Sequence, residues 1–186
     1  MKLYIKYMVS LRCKMLVQEE LKKLGLQHVV LEFGTVEILE DITKKQRERL
    51  KASLLRSGWE LLDSKKGMLI EKVKNLITEM VHHSDEMPKV IHSEYISKQL
   101  GQQYSYLANI FAEVQGITIQ QYIILEKVER IKELLLYNDL NLKQISYLMH
   151  YSSVAHLSNQ FKKVTGLSPS YYKQLKRKQK GKAEKL

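Results

Sequence analysis

The chain has 186 residues, room for one domain or two small ones, and its 44% hydrophobic content excludes wholesale disorder. The only cysteine, Cys13, excludes an intramolecular disulfide and suits a cytoplasmic setting. A formal charge of +11, from 31 basic against 20 acidic side chains, favours polyanionic partners such as nucleic acid or an anionic membrane surface.

Residues 1–9, MKLYIKYMV, are too short and too interrupted by lysine for a signal peptide or a membrane span, and no later stretch is long enough to span, so no membrane partner is expected. Residues 3–9 are β-branched and aromatic and read as a strand. Leu16, Val17, Leu21 and Leu24 recur at helical spacing from Cys13 to Leu24, and Gly25 is a natural stop. Residues 28–33 and 35–39 read as two strands around Gly34. Thr43 is an N-cap for a helix over 44–56, with Leu50, Leu54 and Leu55 on its apolar face, and Trp59 to Leu62 form a last short strand after Gly58. The order β-α-β-β-α-β fits the ferredoxin-like plan, an α+β domain over residues 1–80 with a trailing helix at 67–82.

Residues 83–89 are polar, contain Pro88 and mark a boundary. An all-α region follows, with helices over about 90–99, 103–114, 118–137, 141–149, 153–164 and 168–176. Asn138, Asp139 and Asn141 form a turn, Gly101, Gly116 and Gly166 punctuate the rest, and residues 176–186 read as a frayed basic tail.

Within residues 85–175 a unit is copied. ISKQLGQQYSYLANIFAEVQGIT (96–118) is followed by ISYLMHYSSVAHLSNQFKKVTGLS (145–168). Leu107 and Phe111 recur 50 residues later as Leu157 and Phe161, and Gly116-Ile117-Thr118 recurs as Gly166-Leu167-Ser168. Ile96-Ser97 answers Ile145-Ser146 at an offset of 49, so the second turn is one residue longer. Each copy has a short helix, a tight turn and a second helix with an apolar i,i+4 pair, the layout of a helix-turn-helix, and a long helix joins the two. In copy one Leu107, Ile110 and Phe111 face inward, which leaves Gln103, Ser105, Ala108 and Asn109 outward. In copy two Leu157, Phe161 and Val164 face inward, which leaves His156, Asn159, Gln160 and Lys163 outward. Gln and Asn side chains can pair with adenine, and neither face carries an arginine, so an A·T-leaning readout is expected. Protein-binding helical repeats are the competing reading.

Residues 85–175 resemble the DNA-binding domain of the AraC/XylS family of bacterial transcription regulators. The distinctive segment is FKKVTGLSPSYYK, residues 161–173, and Tyr122, Lys127, Glu129, Leu134 and Leu135 resemble the joining helix. The resemblance implies a regulator of transcription, activator or repressor, that sets both recognition helices in successive major-groove segments. By position it implies DNA contacts from Gln103, Tyr104, Ser105, Asn109, Val154, Ala155, His156, Asn159 and Gln160, with Lys162 and Lys163 meeting phosphate or solvent. The chain departs from the family pattern at His150-Tyr151, where Gly-Phe is usual, at Ser97 and Ser146 for alanine, at Lys127 and Ile131 for arginine and alanine, and at Leu157 for an aromatic. The two units are therefore expected to contribute unequally.

The N-terminal region carries a second, fainter resemblance. MVSLRC, residues 8–13, is similar to the Met-x-Cys-x-x-Cys loop of small heavy-metal-associated ferredoxin-like domains, with Ser10 in place of the first cysteine. One thiolate and a hydroxyl are a poor soft-metal site, so no metal or cofactor is expected and Cys13 reads as a small helix residue. His82, His83 and His92 near the boundary read as non-ligands. No catalytic motif is present, and the chain reads as a non-enzyme whose partner is duplex DNA. RNA polymerase and a homodimer through the N-terminal domain are further partners compatible with that reading. The alternative is an adaptor that dimerises through the N-terminal domain and binds no DNA.

Overall fold

A computed structural model describes residues 1–8, 10–32, 34–82, 92–137 and 140–183. They fall into two compact units, Met1–Lys74 with Ser93–Ile119, and Asn75–His92 with Gln120–Leu186. The first holds β1 (Lys2–Lys6), α1 (Leu11–Lys23), β2 (His28–Glu32), β3 (Thr35–Ile38), α2 (Lys44–Arg56), β4 (Glu60–Leu61), the start of α3 (Ser64–His82), nearly all of α4 (His92–Leu100), and α5 (Tyr104–Gln115). The second holds the rest of α3, then α6 (Ile119–Tyr137, from Gln120 on), α7 (Leu142–Leu148), α8 (Val154–Thr165) and α9 (Pro169–Ala183). This division differs from the boundary expected near residues 80–85, because the first helix pair shares its unit with the sheet.

The four strands lie in the order β2-β3-β1-β4, and every neighbouring pair is antiparallel. Alternate side chains of β1 and β3 (Leu3, Ile5, Val36 and Ile38) join Val17 and Leu21 of α1, Leu50 and Leu54 of α2, and Trp59 in one core. On α3, Gly67 lets the Tyr4 ring approach, since a Cβ there would lie 2.2 Å from Tyr4 Cδ2.

Local chemistry moves several element ends. Helix α2 spans the expected residues because Thr43 and Gln46 form a reciprocal capping box. Helix α1 starts at Leu11, earlier than the hydrophobic spacing indicated, because the Ser10 hydroxyl accepts from the Cys13 amide at 3.2 Å. The Ser10 hydroxyl also donates to Cys13 Sγ at 3.1 Å. The first strand stops at Lys6 because Tyr7 takes the left-handed conformation, with φ 65°. Helix α3 starts at Ser64, where the Asp63 carboxylate accepts from the Lys66 amide at 2.8 Å. Helix α9 runs to Ala183 where a frayed tail was expected, because lysine, glutamine and alanine are good helix formers. Pro88 and the 83–89 boundary, His83, and the turn residues Asn138 and Asp139 lie outside the described residues. No helix among the described residues is long and apolar enough to cross a membrane.

Candidate nucleic-acid interface

The two copies build the same turn from different residues. In copy one Gly101 takes φ 62°, the Gln102 amide donates to Ser97 O at 3.3 Å, and the Ser97 hydroxyl donates to Gln102 O at 2.8 Å. In copy two the residue 49 positions on, His150, takes φ 53°, and the Tyr151 amide donates to Ser146 O at 2.9 Å. The turn therefore repeats in register through Tyr151, and the extra residue of copy two enters after it, before α8. That insertion supplies a cap. The Ser153 hydroxyl accepts from the His156 amide at 3.0 Å, whereas Gln103 at the head of α5 makes no side-chain cap bond. Both second helices end on a left-handed glycine, Gly116 at φ 70° and Gly166 at φ 78°.

Each second helix buries one stripe and leaves a polar one open. Helix α5 buries Leu107, Ile110, Phe111 and Val114, with Gln103, Ser105 and Asn109 exposed and Tyr104 and Ala108 half-buried. Helix α8 buries Leu157 and Phe161, the latter edge-on to Tyr172 with centroids 5.6 Å apart. Ala155, His156, Asn159, Lys162 and Lys163 are exposed, while Val154 and Gln160 are half-buried. Val164, expected to face inward, is 38% exposed. Its counterpart Val114 is fully buried because the first unit supplies a neighbour: a Cβ on Gly34 would lie 2.8 Å from Val114 Cγ1 and 2.0 Å from Val114 O.

The sheet holds the end of α5 by further bonds. The Tyr7 amide donates to Glu113 O at 2.9 Å, a carbonyl in the last turn of the helix. Lys6 Nζ lies 2.8 Å from the Glu113 carboxylate and 3.6 Å from that of Glu60. The hydrogen bond to Glu113 leads the effects that hold the Lys6 ammonium above its ordinary pKa.

Around α8 the support comes from α6. Lys127 is buried, and its Nζ donates to Met149 O at 3.0 Å, a bond to the C-cap carbonyl of α7. The same nitrogen lies 5.3 Å from the centroid of the Tyr151 ring. Burial lowers the Lys127 pKa and pushes that of Tyr151 up to about 12. The Tyr151 hydroxyl donates to Gln160 Oε1 at 2.6 Å, and the ring meets His156 edge-on at 5.2 Å. His156 Nδ1 lies 3.0 Å from the Ser152 hydroxyl.

Comparison with known proteins agrees with this arrangement. Residues 96–175 match the model of a helix-turn-helix domain family. The match covers under half of the chain and agrees with the resemblance of residues 85–175 to the AraC/XylS family. The Msm operon regulatory protein of Streptococcus mutans is 31% identical over 97 residues, which cover 48% of this chain and 35% of that protein. An HTH-type transcriptional regulator of Bacillus subtilis is 26% identical over 107 residues, 58% of this chain and 14% of that protein. The chain thus spans well under half the length of either relative. A solved regulator from Chromobacterium violaceum with an AraC-type DNA-binding domain shares the fold, with a TM-score of 0.52 at 15% identity, over 60% of this chain and 95% of that one.

Three features of this region escaped the reading of the sequence. Ser153 had a signal, a serine just before an apolar helix, which the emphasis on the irregular turn obscured. The Tyr151–Gln160 bond and the seat of Val114 on Gly34 join positions related by no local period.

Proposed function

We propose that the chain is a sequence-specific, duplex-DNA-binding regulator of transcription that reads base edges with α5 and α8. The observation that carries the proposal is the repeated helix pair, each copy of which exposes a polar stripe on its second helix while burying an i,i+4 apolar pair. The match of residues 96–175 to a helix-turn-helix domain family and the excess of positive charge support it. Gln103, Tyr104, Ser105, Asn109, Val154, Ala155, His156, Asn159 and Gln160 are the proposed base and backbone contacts. Lys162 and Lys163, exposed beside them, grip phosphate.

In this reading residues 85–175 are the DNA-binding region, the protein acts in the cytoplasm, and binding rather than catalysis is its activity. RNA polymerase is the proposed second partner. The N-terminal residues form a ferredoxin-like domain, a plan supported by the β2-β3-β1-β4 order and its antiparallel pairs, and that domain is the proposed site of homodimerisation.

Selection of bound duplexes from a random pool at two salt concentrations tests the function. A shared motif is expected, with affinity that falls steeply as salt rises, because neutralised phosphates release counterions. Asn159→Ala and Gln103→Ala should each weaken binding to the motif more than binding to an unrelated duplex. Failure to enrich any sequence, or an equal loss on both duplexes, would refute direct readout by these helices.

A further inference from the structure

Gln160 does not face DNA with a free carboxamide. Its oxygen accepts the Tyr151 hydroxyl at 2.6 Å, and Tyr151 is fixed from several sides. Its amide is bonded to Ser146 O at 2.9 Å, Lys127 Nζ sits over its ring, and His156 stands edge-on to it. The Lys127 ammonium is itself held by Met149 O. The hydroxyl therefore has little freedom to release Gln160, and the carboxamide oxygen stays turned toward the protein while the Nε2 hydrogens remain to be used.

The consequence concerns base choice. A glutamine pairs with adenine by accepting from N6 and donating to N7, which requires both ends of the carboxamide. With its oxygen turned onto Tyr151, Gln160 presents its donors, and the major-groove acceptors that suit them are guanine O6 and N7, thymine O4 and adenine N7, the last standing beside an N6 donor that such a glutamine leaves unpaired. Resting on the DNA-binding reading above, we propose that Tyr151 is a specificity-determining residue. It makes Gln160 a donor-only reader and selects guanine or thymine over adenine at the base that Gln160 meets. Because burial carries the Tyr151 pKa up to about 12, the hydroxyl keeps its proton and remains a donor at neutral pH. The usual residue of the family pattern at this position, phenylalanine, has no hydroxyl to do this.

The test is selection from a random duplex pool with the full chain, in parallel for the unaltered protein, Tyr151→Phe and Gln160→Leu. In the unaltered protein, guanine or thymine is expected at one position of the half-site read by α8. Gln160→Leu should erase that preference at that position alone. Tyr151→Phe should shift the same position toward adenine by roughly fivefold or more, the lower end of what a bidentate pair discriminates, with binding to the other positions kept. Adenine at that position in the unaltered protein, an unchanged motif with Tyr151→Phe, or an unchanged motif with Gln160→Leu would each overturn the proposal. Should Tyr151→Phe fail to fold, as thermal melting would reveal, the Gln160→Leu arm and the identity of the wild-type base still decide it. Absence of any selected motif with the unaltered protein would instead remove the DNA-binding reading, a failure visible before either variant is compared.

Discussion

Replacing Gly34 by alanine tests whether the sheet seats α5. Gly34 has φ +71°, a conformation that costs an L-residue about 1–2 kcal/mol. An alanine Cβ would also fall 2.0 Å from Val114 O and 2.8 Å from Val114 C and Cγ1. The two closest obstacles are backbone, so the end of α5 or the β2–β3 turn has to move, and overpacking of this kind costs about 1–3 kcal/mol. The sum is roughly 2–5 kcal/mol. Gly25 is the control, because it has nearly the same φ, +69°, with no heavy atom within 4 Å of its Cβ position. Gly25→Ala should therefore lose the conformational part alone, about 1–2 kcal/mol. Urea unfolding followed by fluorescence suits the measurement, since the single tryptophan, Trp59, is buried in the core of the same unit. The expected result is a clearly larger loss for Gly34→Ala, together with faster hydrogen exchange at the Tyr7 amide that bonds Glu113 O. Losses equal within about 0.5 kcal/mol would show that the close approach carries no energy, and the account of Val114 burial would fall with it.

Other perturbations probe the second unit. Leu157→Ala removes a fully buried side chain from α8 and should destabilise by roughly 2–4 kcal/mol, read by circular dichroism on melting; an unchanged melt would show that the helix buries a different stripe. Ser153→Ala should lose about 1 kcal/mol by removing the cap on the His156 amide, and a silent substitution would mean that water caps the helix as well as serine does. His92 responds to pH. Burial first, then Lys127 and His150, hold its pKa below the ordinary 6.5, so the unfolded chain takes up the proton before the folded one as pH falls. Its contribution is complete above 6.5 and is lost as pH falls toward the folded value. The melting temperature of the parent should therefore drop below about pH 6.5 more steeply than that of His92→Gln, and parallel curves would refute the assignment.

How much was legible beforehand depended on the range of the interaction. Thr43 and Gln46 lie three residues apart, and the α2 they cap was read with both ends correct. Gly116 and Gly166 close α5 and α8 through bonds within one turn of helix, and they too were plain. The exposed positions on α5 and α8 followed from the 3.6-residue period wherever the helix met one neighbour. Val164 broke that rule because a period cannot reveal whether anything stands opposite. Gly34 was noticed only as a break between strands, since its meeting with Val114 spans 80 positions of chain. The Tyr151–Gln160 bond was hidden differently. A tyrosine where phenylalanine is usual registered as a departure from pattern, yet its effect lies in one hydroxyl and the acceptor that hydroxyl finds.

The asymmetry of the two copies is consequently different from what their turns suggested. His150 in a left-handed turn and the extra residue at Ser152 marked copy two as the irregular half. In the fold, the irregular turn is where copy two gains its anchors: Ser153 caps α8, and Tyr151 joins α6 to Gln160. Copy one keeps the favourable glycine turn but leaves the head of α5 without a side-chain cap, and it fixes the tail of that helix on β1 and Gly34 instead. One second helix is thus organised from its N-terminal end by its own turn, the other from its C-terminal end by the sheet. Because the proposed DNA contacts lie toward the N-terminal half of each helix, Gln103 to Asn109 in α5 and Val154 to Gln160 in α8, the two halves differ in what can disturb them. A change in the sheet reaches the α5 readers only through the length of that helix. A change at Tyr151 reaches Gln160, a proposed contact on α8, through a single hydrogen bond. Copy two, the less orthodox in sequence, is the one whose geometry fixes a proposed contact directly.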